Sequence, residues 1–355
     1  MVFVTKELIE KVCISPNSVC NFACRYCYFY NPENPVIPQK NLTETEIGTI
    51  LDKIYDYSVK FKLKKKIKII FVGSGEPLLS WKEISLAMEE FRNEGKHKEI
   101  KFYMVTNGSL LSDEIVIKMK ELAIIPSVSL DGPALIHNKN RFYADGNPTF
   151  DVVMRGIKVL RRHNLRIIIN PTITRELIDN IDLFFKFIRK ERFDKVIFGR
   201  MIDVPSFYPP ISYDNYYRIL KVIYNLQIKY NLNNIEIGNI EAFRKAVKGE
   251  PERVCTLIGS CCGAGTSNLI YLQREVYPCG RMFNDKNWLL GEFDQNIEFF
   301  QEKMMKKLEK YENECNDCDL RKVCVRDCIL DTFSYLYNCQ ARKEFLKLMI
   351  NELDK

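Results

Sequence analysis

Histidine is nearly missing from this chain. There are three in 355 residues, His97, His137 and His163, none close to a cysteine cluster. That scarcity weakens mixed Cys/His zinc schemes and favours all-thiolate sites. Long apolar runs are missing too: RIIINPTI at 166–173 falls far short of the ~20 residues a membrane span needs, so no membrane association is expected. The N-terminal MVFVTKELIEK carries acids and no small-residue cleavage site, which argues against a signal peptide and for a cytoplasmic location. No low-complexity tract interrupts a composition of 46% hydrophobic and 28% charged residues, that of an ordinary folded protein.

What the chain has in quantity is cysteine, thirteen in all. In a reducing compartment such thiols read as metal ligands or catalytic groups before disulfides. The formal charge of +7 raises the question of nucleic acid. The lysine-rich KFKLKKKIKI at 60–69 alternates as a strand edge does and reads as a solvated face, and anionic clusters on the thiolates would offset the charge. No nucleic-acid partner is expected.

From Cys13 to about Tyr230 the chain alternates short β-branched runs with amphipathic helical stretches. Strands are expected at 12–15, 67–72, 100–106, 126–130, 166–172 and 195–199. Helices are expected from Thr43, where Glu46 completes a capping box, from Ser80 to a C-cap at Gly95, and from near Ser112, Thr149, Asp179 and Ser212. Six strand–helix units imply parallel strands with right-handed crossovers, either an open doubly wound sheet or a partial barrel. The strands run out into GSGEP (73–77), TNG (106–108), SLDGP (129–133), NPT (170–172) and GR (199–200). These polar ends should converge on the carboxyl face, where parallel α/β folds place their sites.

The first strand leads into CNFACRYCYFY (20–30), with Cys20, Cys24 and Cys27 spaced C-x3-C-x2-C. Three thiolates leave one iron of a four-iron cluster without a protein ligand, and an open metal position marks a catalytic site. A closed site completed by Cys13 or a distant cysteine is the competing arrangement, although Cys13 is most simply a core residue.

These cysteines, with Tyr26 before the last, resemble the signature of the radical S-adenosylmethionine (SAM) superfamily. GSGEP resembles its G-G-E-P strand end, with Ser74 in place of the first Gly, and SLDGP with His137, Asn140 and Arg141 resembles peptide-modifying members. The resemblance implies an α/β fold, a partial (β/α)6 TIM-like barrel. It implies a [4Fe-4S] cluster on Cys20, Cys24 and Cys27 whose open iron chelates SAM, and reductive cleavage to a 5′-deoxyadenosyl radical. It further implies a SAM site of Tyr26, Ser74, Gly75, Glu76, Asn107, Ser129 and Arg141, with Asn107 and Ser129 near the ribose or methionine and Arg141 near the carboxylate.

After residue 230 the pattern changes. CCGAGTSNLIYLQREVYPCGR (261–281) reads as a hairpin with a cysteine near each end, and CNDCDLRKVCVRDC (315–328) is followed by Cys339. Paired cysteines of this kind are metal signals, with zinc the chemical competitor of iron–sulfur. The region resembles the SPASM extension of certain radical SAM enzymes, with two auxiliary [4Fe-4S] clusters. By that resemblance the first takes Cys262, Cys279, Cys328 and an upstream cysteine, Cys255 or alternatively Cys261. The second takes Cys315, Cys318, Cys324 and Cys339. Arg274 stands where the family has a Gly, so that turn should be built differently. The expected organisation is a core at 1–235, a SPASM domain at 236–340 and a C-terminal helix at 341–355.

The implied function is hydrogen abstraction from a peptide or protein side chain by a monomeric enzyme with three [4Fe-4S] clusters, fed by a donor such as flavodoxin or ferredoxin. Length and cysteine layout look close to the anaerobic sulfatase-maturating branch. The acid that follows the second SPASM cysteine there is Gly280 here, which leaves the catalytic base unassigned and argues against formylglycine formation. About a dozen residues precede the first strand, so a leader-binding winged-helix domain is not expected. The alternatives are a formylglycine-forming maturase, a SPASM enzyme on a porphyrin-like substrate, and a non-catalytic iron–sulfur electron carrier.

Overall fold

A computed structural model of the chain describes residues 8–30, 40–201, 211, 213–249, 263–283, 285–308, 320 and 340–353. Its strands are β1 (Lys11–Ser15), β2 (Ile67–Phe71), β3 (Ile100–Thr106), β4 (Ile124–Val128), β5 (Ile168–Ile169), β6 (Thr172–Ile173), β7 (Lys195–Val196), β8 (Gly199–Arg200), β9 (Glu236–Ile237), β10 (Asn268–Leu272), β11 (Glu275–Tyr277) and β12 (Gly291–Glu292). Helices α1 (Glu44–Lys60), α2 (Trp81–Asn93), α3 (Asp113–Glu121), α4 (Ala134–Asn140), α5 (Phe150–Arg162), α6 (Arg175–Asp179) and α7 (Ile181–Glu191) fall between the first eight strands. α8 (Tyr213–Lys229), α9 (Gly238–Val247), α10 (Ile297–Leu308) and α11 (Gln340–Leu353) follow. None of the described helices is long and apolar enough to cross a membrane.

Strand order separates the two architectures the sequence left open. The main sheet runs β12-β11-β10-β1-β2-β3-β4-β5-β7-β9, and a second sheet pairs β6 with β8. Within the main sheet the strands from β1 to β9 lie in chain order and pair in parallel, with β6 and β8 set apart in the small sheet. A doubly wound sheet would reverse its order at a switch point. This one never reverses, as in a partial barrel.

Helix starts follow the expected chemistry at three places. The Thr43 hydroxyl accepts from Glu46 N while the Glu46 carboxylate accepts from Thr43 N, a closed capping box. Ser112 and Thr174 cap α3 and α6 through their hydroxyls. Gly95, after α2, has φ of 76°, the left-handed conformation expected of a C-cap. Ser80 makes no side-chain cap bond; a 3₁₀ turn at Pro77–Ser80 precedes α2, with Glu76 accepting from Leu78 N.

Two strands depart from expectation around prolines. β4 begins two residues earlier than 126–130 and contains Pro126. Ser129 N donates to Thr106 on β3 while Val128 O accepts from Asn170 on the β5 side. In a parallel strand alternate residues face alternate neighbours, so the nitrogen of Pro126 faces β5, which pairs with β4 only at Val128. No ladder bond is lost. The run 166–172 breaks at Asn170-Pro171 into β5 and β6, and 195–199 divides in step into β7 and β8, whose second members form the small sheet.

Strand pairing crosses the boundary expected at 235/236. β9 lies beside β7, and β10 pairs in parallel with β1 on the opposite edge before turning antiparallel into β11. α11 packs back on α8 and α9, Phe345 lying 5.0 Å from Phe243 and 6.4 Å from Tyr217 between ring centroids.

Side-chain parity assigns the two faces of the sheet. Val12, Ile14, Ile69, Phe71, Phe102, Met104, Val128, Leu269 and Tyr271 join the helices in one large apolar core. Residues of the other parity, Cys13, Ile70, Tyr103, Ser127 and Ile270 among them, stand on the helix-free face.

Candidate functional site

The loop after β1 is tied down by backbone bonds from a distant segment. Ala23 N donates to Phe142 O and Arg25 N to Asn140 O, both 2.8 Å, and Tyr30 Oη closes the loop on Ser18 O at 2.6 Å. The thiols of Cys20, Cys24 and Cys27 lie close enough that Cys27 raises the proton affinity of Cys20, and Cys27 and Cys20 that of Cys24. Burial pushes Cys20 up to about 11, helped by the Glu76 charge and opposed by Phe22 N–H. Burial also takes Cys24 to about 12 against the pull of Arg141, and raises Cys27.

Beside the loop sits a buried clamp. Asp131 is wholly buried and accepts from Arg141 Nε (3.0 Å) and Nη2 (3.2 Å), Tyr26 Oη (2.7 Å) and Thr172 N (2.9 Å). The carboxylate thus joins the cysteine loop, the end of β4, the residue after α4 and the start of β6. The third nitrogen of Arg141, Nη1, lies 3.9 Å from Cys24 Sγ, and its guanidinium stacks 5.3 Å from the Tyr26 ring. Tyr26 and Arg141, both expected to line the SAM site, are brought together there, but most of their polar groups are given to Asp131. The sequence reading quoted Asp131 within SLDGP and gave it no role; a carboxylate directly after a strand end was the available signal.

Glu76 braces the neighbouring strand ends. Its carboxylate accepts from Thr106 Oγ1 (2.5 Å), Asn107 N (2.7 Å) and Leu78 N (3.1 Å), while its N–H donates to Val19 O. Burial raises the Glu76 carboxyl above the usual range in spite of these donors. Gly75 passes so near Asn17 and Val19 that a side chain there would collide with both. Asn107 donates to Asn21 Oδ1 (2.8 Å) and points its amide at Cys20 Sγ, 3.9 Å away. The Ser129 N–H is used on Thr106 O, and its hydroxyl bonds no described residue.

Ser74 is integral rather than a bystander. Its hydroxyl lies 3.1 Å from Ser15 Oγ and accepts from Gln273 Nε2 at 3.1 Å. Gln273, 2% exposed, occupies the β10–β11 turn with φ of 51° and also donates to Ser15 O. The next residue, Arg274, pairs with Glu46 of the α1 capping box at 2.6 Å. The turn is therefore built from side chains that bind the barrel, in place of glycine.

The same hairpin delivers Cys279 to an apolar cluster of Phe29, Ile270, Leu272, Tyr277 and Met282, against which Cys13, Cys27 and Tyr28 also pack. Cys13, expected in the core, lies on the face opposite Val12 and Ile14. A Cβ on Gly280 would meet Tyr28 Oη at 2.9 Å, so the tyrosine after Cys27 takes the space a side chain would need there. Cys255, Cys261, Cys262, Cys315, Cys318, Cys324, Cys328 and Cys339 lie outside the described residues.

The donor set fits a multi-iron cluster. Among the described residues no three His, Cys, Asp or Glu side chains converge on one ion position. The thiolates of a single zinc crowd within one coordination shell, whereas a four-iron cluster spreads its thiolates over separate irons. A cluster on Cys20, Cys24 and Cys27 would rest against the Arg141 guanidinium beside Cys24 and the Asn107 amide beside Cys20.

The radical SAM superfamily profile matches residues 14–188. A Cysteine-type anaerobic sulfatase-maturating enzyme of Clostridium perfringens (strain 13 / Type A) is 24% identical over 362 residues, 93% of each chain. The radical SAM cyclopropyl synthase TigE of Paramaledivibacter caminithermalis is 27% identical over 241 residues, 65% of this chain and 48% of its own. Among solved structures, native anSMEcpe with bound AdoMet and Cp18Cys peptide matches with a TM-score of 0.79 at 20% identity, over 97% of this chain and 98% of that one, a likeness of fold. The profile match begins on the strand that delivers the three-thiol loop, and residues 14–188 carry a radical SAM domain.

Proposed function

We propose that this enzyme modifies a peptide or protein side chain oxidatively, with one [4Fe-4S] cluster on Cys20, Cys24 and Cys27 and two auxiliary clusters on the C-terminal cysteines. The observation that carries the reading is that Cys27, from the three-thiol loop, and Cys279, from the C-terminal hairpin, pack against one apolar cluster. The bound cluster and SAM supply a 5′-deoxyadenosyl radical at the cost of one electron from a flavodoxin- or ferredoxin-type donor. The chain's own residues do the positioning. Asp131 fixes Arg141 and Tyr26, Glu76 locks the ends of β2 and β3 together and holds Asn107 through its N–H, and Ser129 keeps its hydroxyl for the cofactor's sugar or amino acid.

Anaerobic reconstitution should give about twelve irons per chain. The triple Cys20/Cys24/Cys27→Ala variant should keep about eight and form no 5′-deoxyadenosine. Stoichiometric zinc on the C-terminal cysteines would defeat the auxiliary clusters.

The branch of chemistry is testable separately. Gly280 offers no base, Arg281 stays protonated, and the space beside Gly280 belongs to the Tyr28 hydroxyl. With SAM, reductant and a sulfatase-type Cys or Ser peptide we expect uncoupled 5′-deoxyadenosine and no aldehyde by hydrazide capture. An aldehyde product would assign the enzyme to the formylglycine-forming branch.

A further inference from the structure

The approach to Cys20 is fixed by a buried polar network. Val19, the residue before it, donates its N–H to Asn17 Oδ1 at 3.1 Å and accepts at its carbonyl from Glu76 N at 2.8 Å. Asn17 Nδ2 donates to Glu76 O (3.0 Å) and Ser80 Oγ (2.9 Å), which ties the loop to the end of β2 and the start of α2. The Asn17 carbonyl in turn accepts from Ser15 Oγ at 3.0 Å and Ser74 Oγ at 3.2 Å. Ser15, Asn17, Ser74 and Gln273 are each at most 4% exposed, so these bonds are made away from water.

Gln273 closes this network from a segment some 250 residues away in the chain. Its Nε2 is directed at Ser15 O (3.2 Å), Ser15 Oγ (3.2 Å) and Ser74 Oγ (3.1 Å), and its own N–H donates to Ser15 O at 3.1 Å. It holds that place in an unfavourable backbone conformation. Leu272 and Glu275 pair across a two-residue turn, and Gln273, first in the turn, has φ of 51°. Turns with positive φ at that position favour glycine. Six described residues other than glycine take such a φ; Lys62, Ala123, Asn164, Arg192 and Asn231 are exposed, and Gln273 is buried. A buried side chain persists in the left-handed region only where its surroundings over-determine it. Here the amide's hold on two strand ends does so.

We propose that Gln273 is a positioning residue for the three-thiol site: it sets Ser15 and Ser74, they set Asn17, and Asn17 sets the backbone from which Cys20 projects. The inference rests on the reading that Cys20, Cys24 and Cys27 hold a SAM-binding cluster, and adds that the C-terminal hairpin shapes that site. Arg274, the next residue, holds the same hairpin to Glu46 through a bond that includes none of the network's residues. It therefore separates docking of the hairpin from positioning of the loop.

The test uses the reconstituted full-length enzyme, reduced, with the SAM-induced change in its spin signal read as a binding curve. Gln273→Gly removes the amide and relieves the backbone, whereas Gln273→Met keeps the length and removes the donors. Both should keep a parent-like melting curve and bind SAM about tenfold more weakly, or load about four irons fewer than the parent's roughly twelve. Arg274→Met should bind SAM as the parent does. Gln273 variants with the parent's affinity and iron would overturn the inference, as would a loss in Arg274→Met as large as theirs. Melting far below the parent in both Gln273 variants would also overturn it, and leave the glutamine to hairpin stability. The parent's own signal separates the two ideas. A signal that SAM leaves unchanged counts against the three-thiol cluster reading itself, whereas variants that match a SAM-responsive parent sink only the inference.

Discussion

The two faces of one sheet are built on different physics. Toward the helices, residues such as Val12, Ile69 and Met104 are wholly buried among apolar neighbours, and their positions are held by packing. One residue along, on the helix-free side, the same strands present lysine, cysteine, serine and tyrosine. There the strand ends are held by discrete hydrogen bonds and one buried ion pair. Packing is redundant, because each apolar side chain touches many others. A network such as the Asp131 clamp is not, since each donor has one acceptor. The helix-covered face should tolerate conservative change, and the carboxyl-end network should fail at single atoms.

The largest expected effect comes from emptying the clamp. Asp131→Ala leaves Arg141 as an uncompensated charge in a buried site and should cost about 3–5 kcal/mol in denaturant unfolding of the apoprotein. Adding Arg141→Met should return part of that loss. A double variant no better than the single would mean that the hydrogen bonds to Tyr26 and Thr172 dominate, not the charge.

The next effect depends on pH. His137 is fully buried, its Nδ1 accepting from Asp131 N–H at 3.3 Å and its Nε2 lying 3.1 Å from Thr149 Oγ1. Because the Thr149 hydroxyl is donated to Arg141 O, the imidazole is neutral with its proton on Nε2. Burial, aided by Arg141 and opposed by Asp131, lowers its pKa from 6.5 to about 4. The unfolded chain therefore takes up this proton first. Stability is whole above about pH 6.5 and drains away as pH falls toward 4, by about 3 kcal/mol. His137→Gln preserves an acceptor for Asp131 N–H and a donor for Thr149, and should flatten that part of the stability–pH curve. An unchanged slope would place the acid sensitivity elsewhere.

The smallest effect sharpens the comparison itself. Ile69 and Ile70 are adjacent on β2, one in the helix-packed core and one half-buried on the open face. Ile69→Ala should cost about 3 kcal/mol, and Ile70→Ala about 1 kcal/mol. Equal losses would mean that the open face is packed as tightly as the covered one.

Much of this was legible in the residues. The β-branched runs located β1 to β4 and the stretches that hold β5 to β8, the Thr43–Glu46 pair marked a helix start to the residue, and the C-x3-C-x2-C spacing named the three thiols that the fold sets together. Legibility failed where a side chain's partner is remote in sequence. Asp131 was given no role because Tyr26, Arg141 and Thr172 are brought to it by three other elements. Ser74 looked like a departure from a motif because Gln273, 199 residues on, supplies its reason. Cys13, read as a core residue, packs on the smaller apolar cluster and not the large one, because a short strand does not announce which of its faces the helices will cover.

By itself the sequence determined the alternation of strand and helix, the parallel connection of the barrel strands and the thiolate chemistry, because each depends on neighbours a few residues apart. Only the tertiary structure decided the order of the strands, the use of β10 to extend the sheet beyond β1 and the register that sets Lys11 beside Lys68. Register between strands is set by core packing on the opposite side. Val12 and Ile69, locked in the helix layer, bring Lys11 and Lys68 abreast, and no local pattern in either strand encodes that alignment.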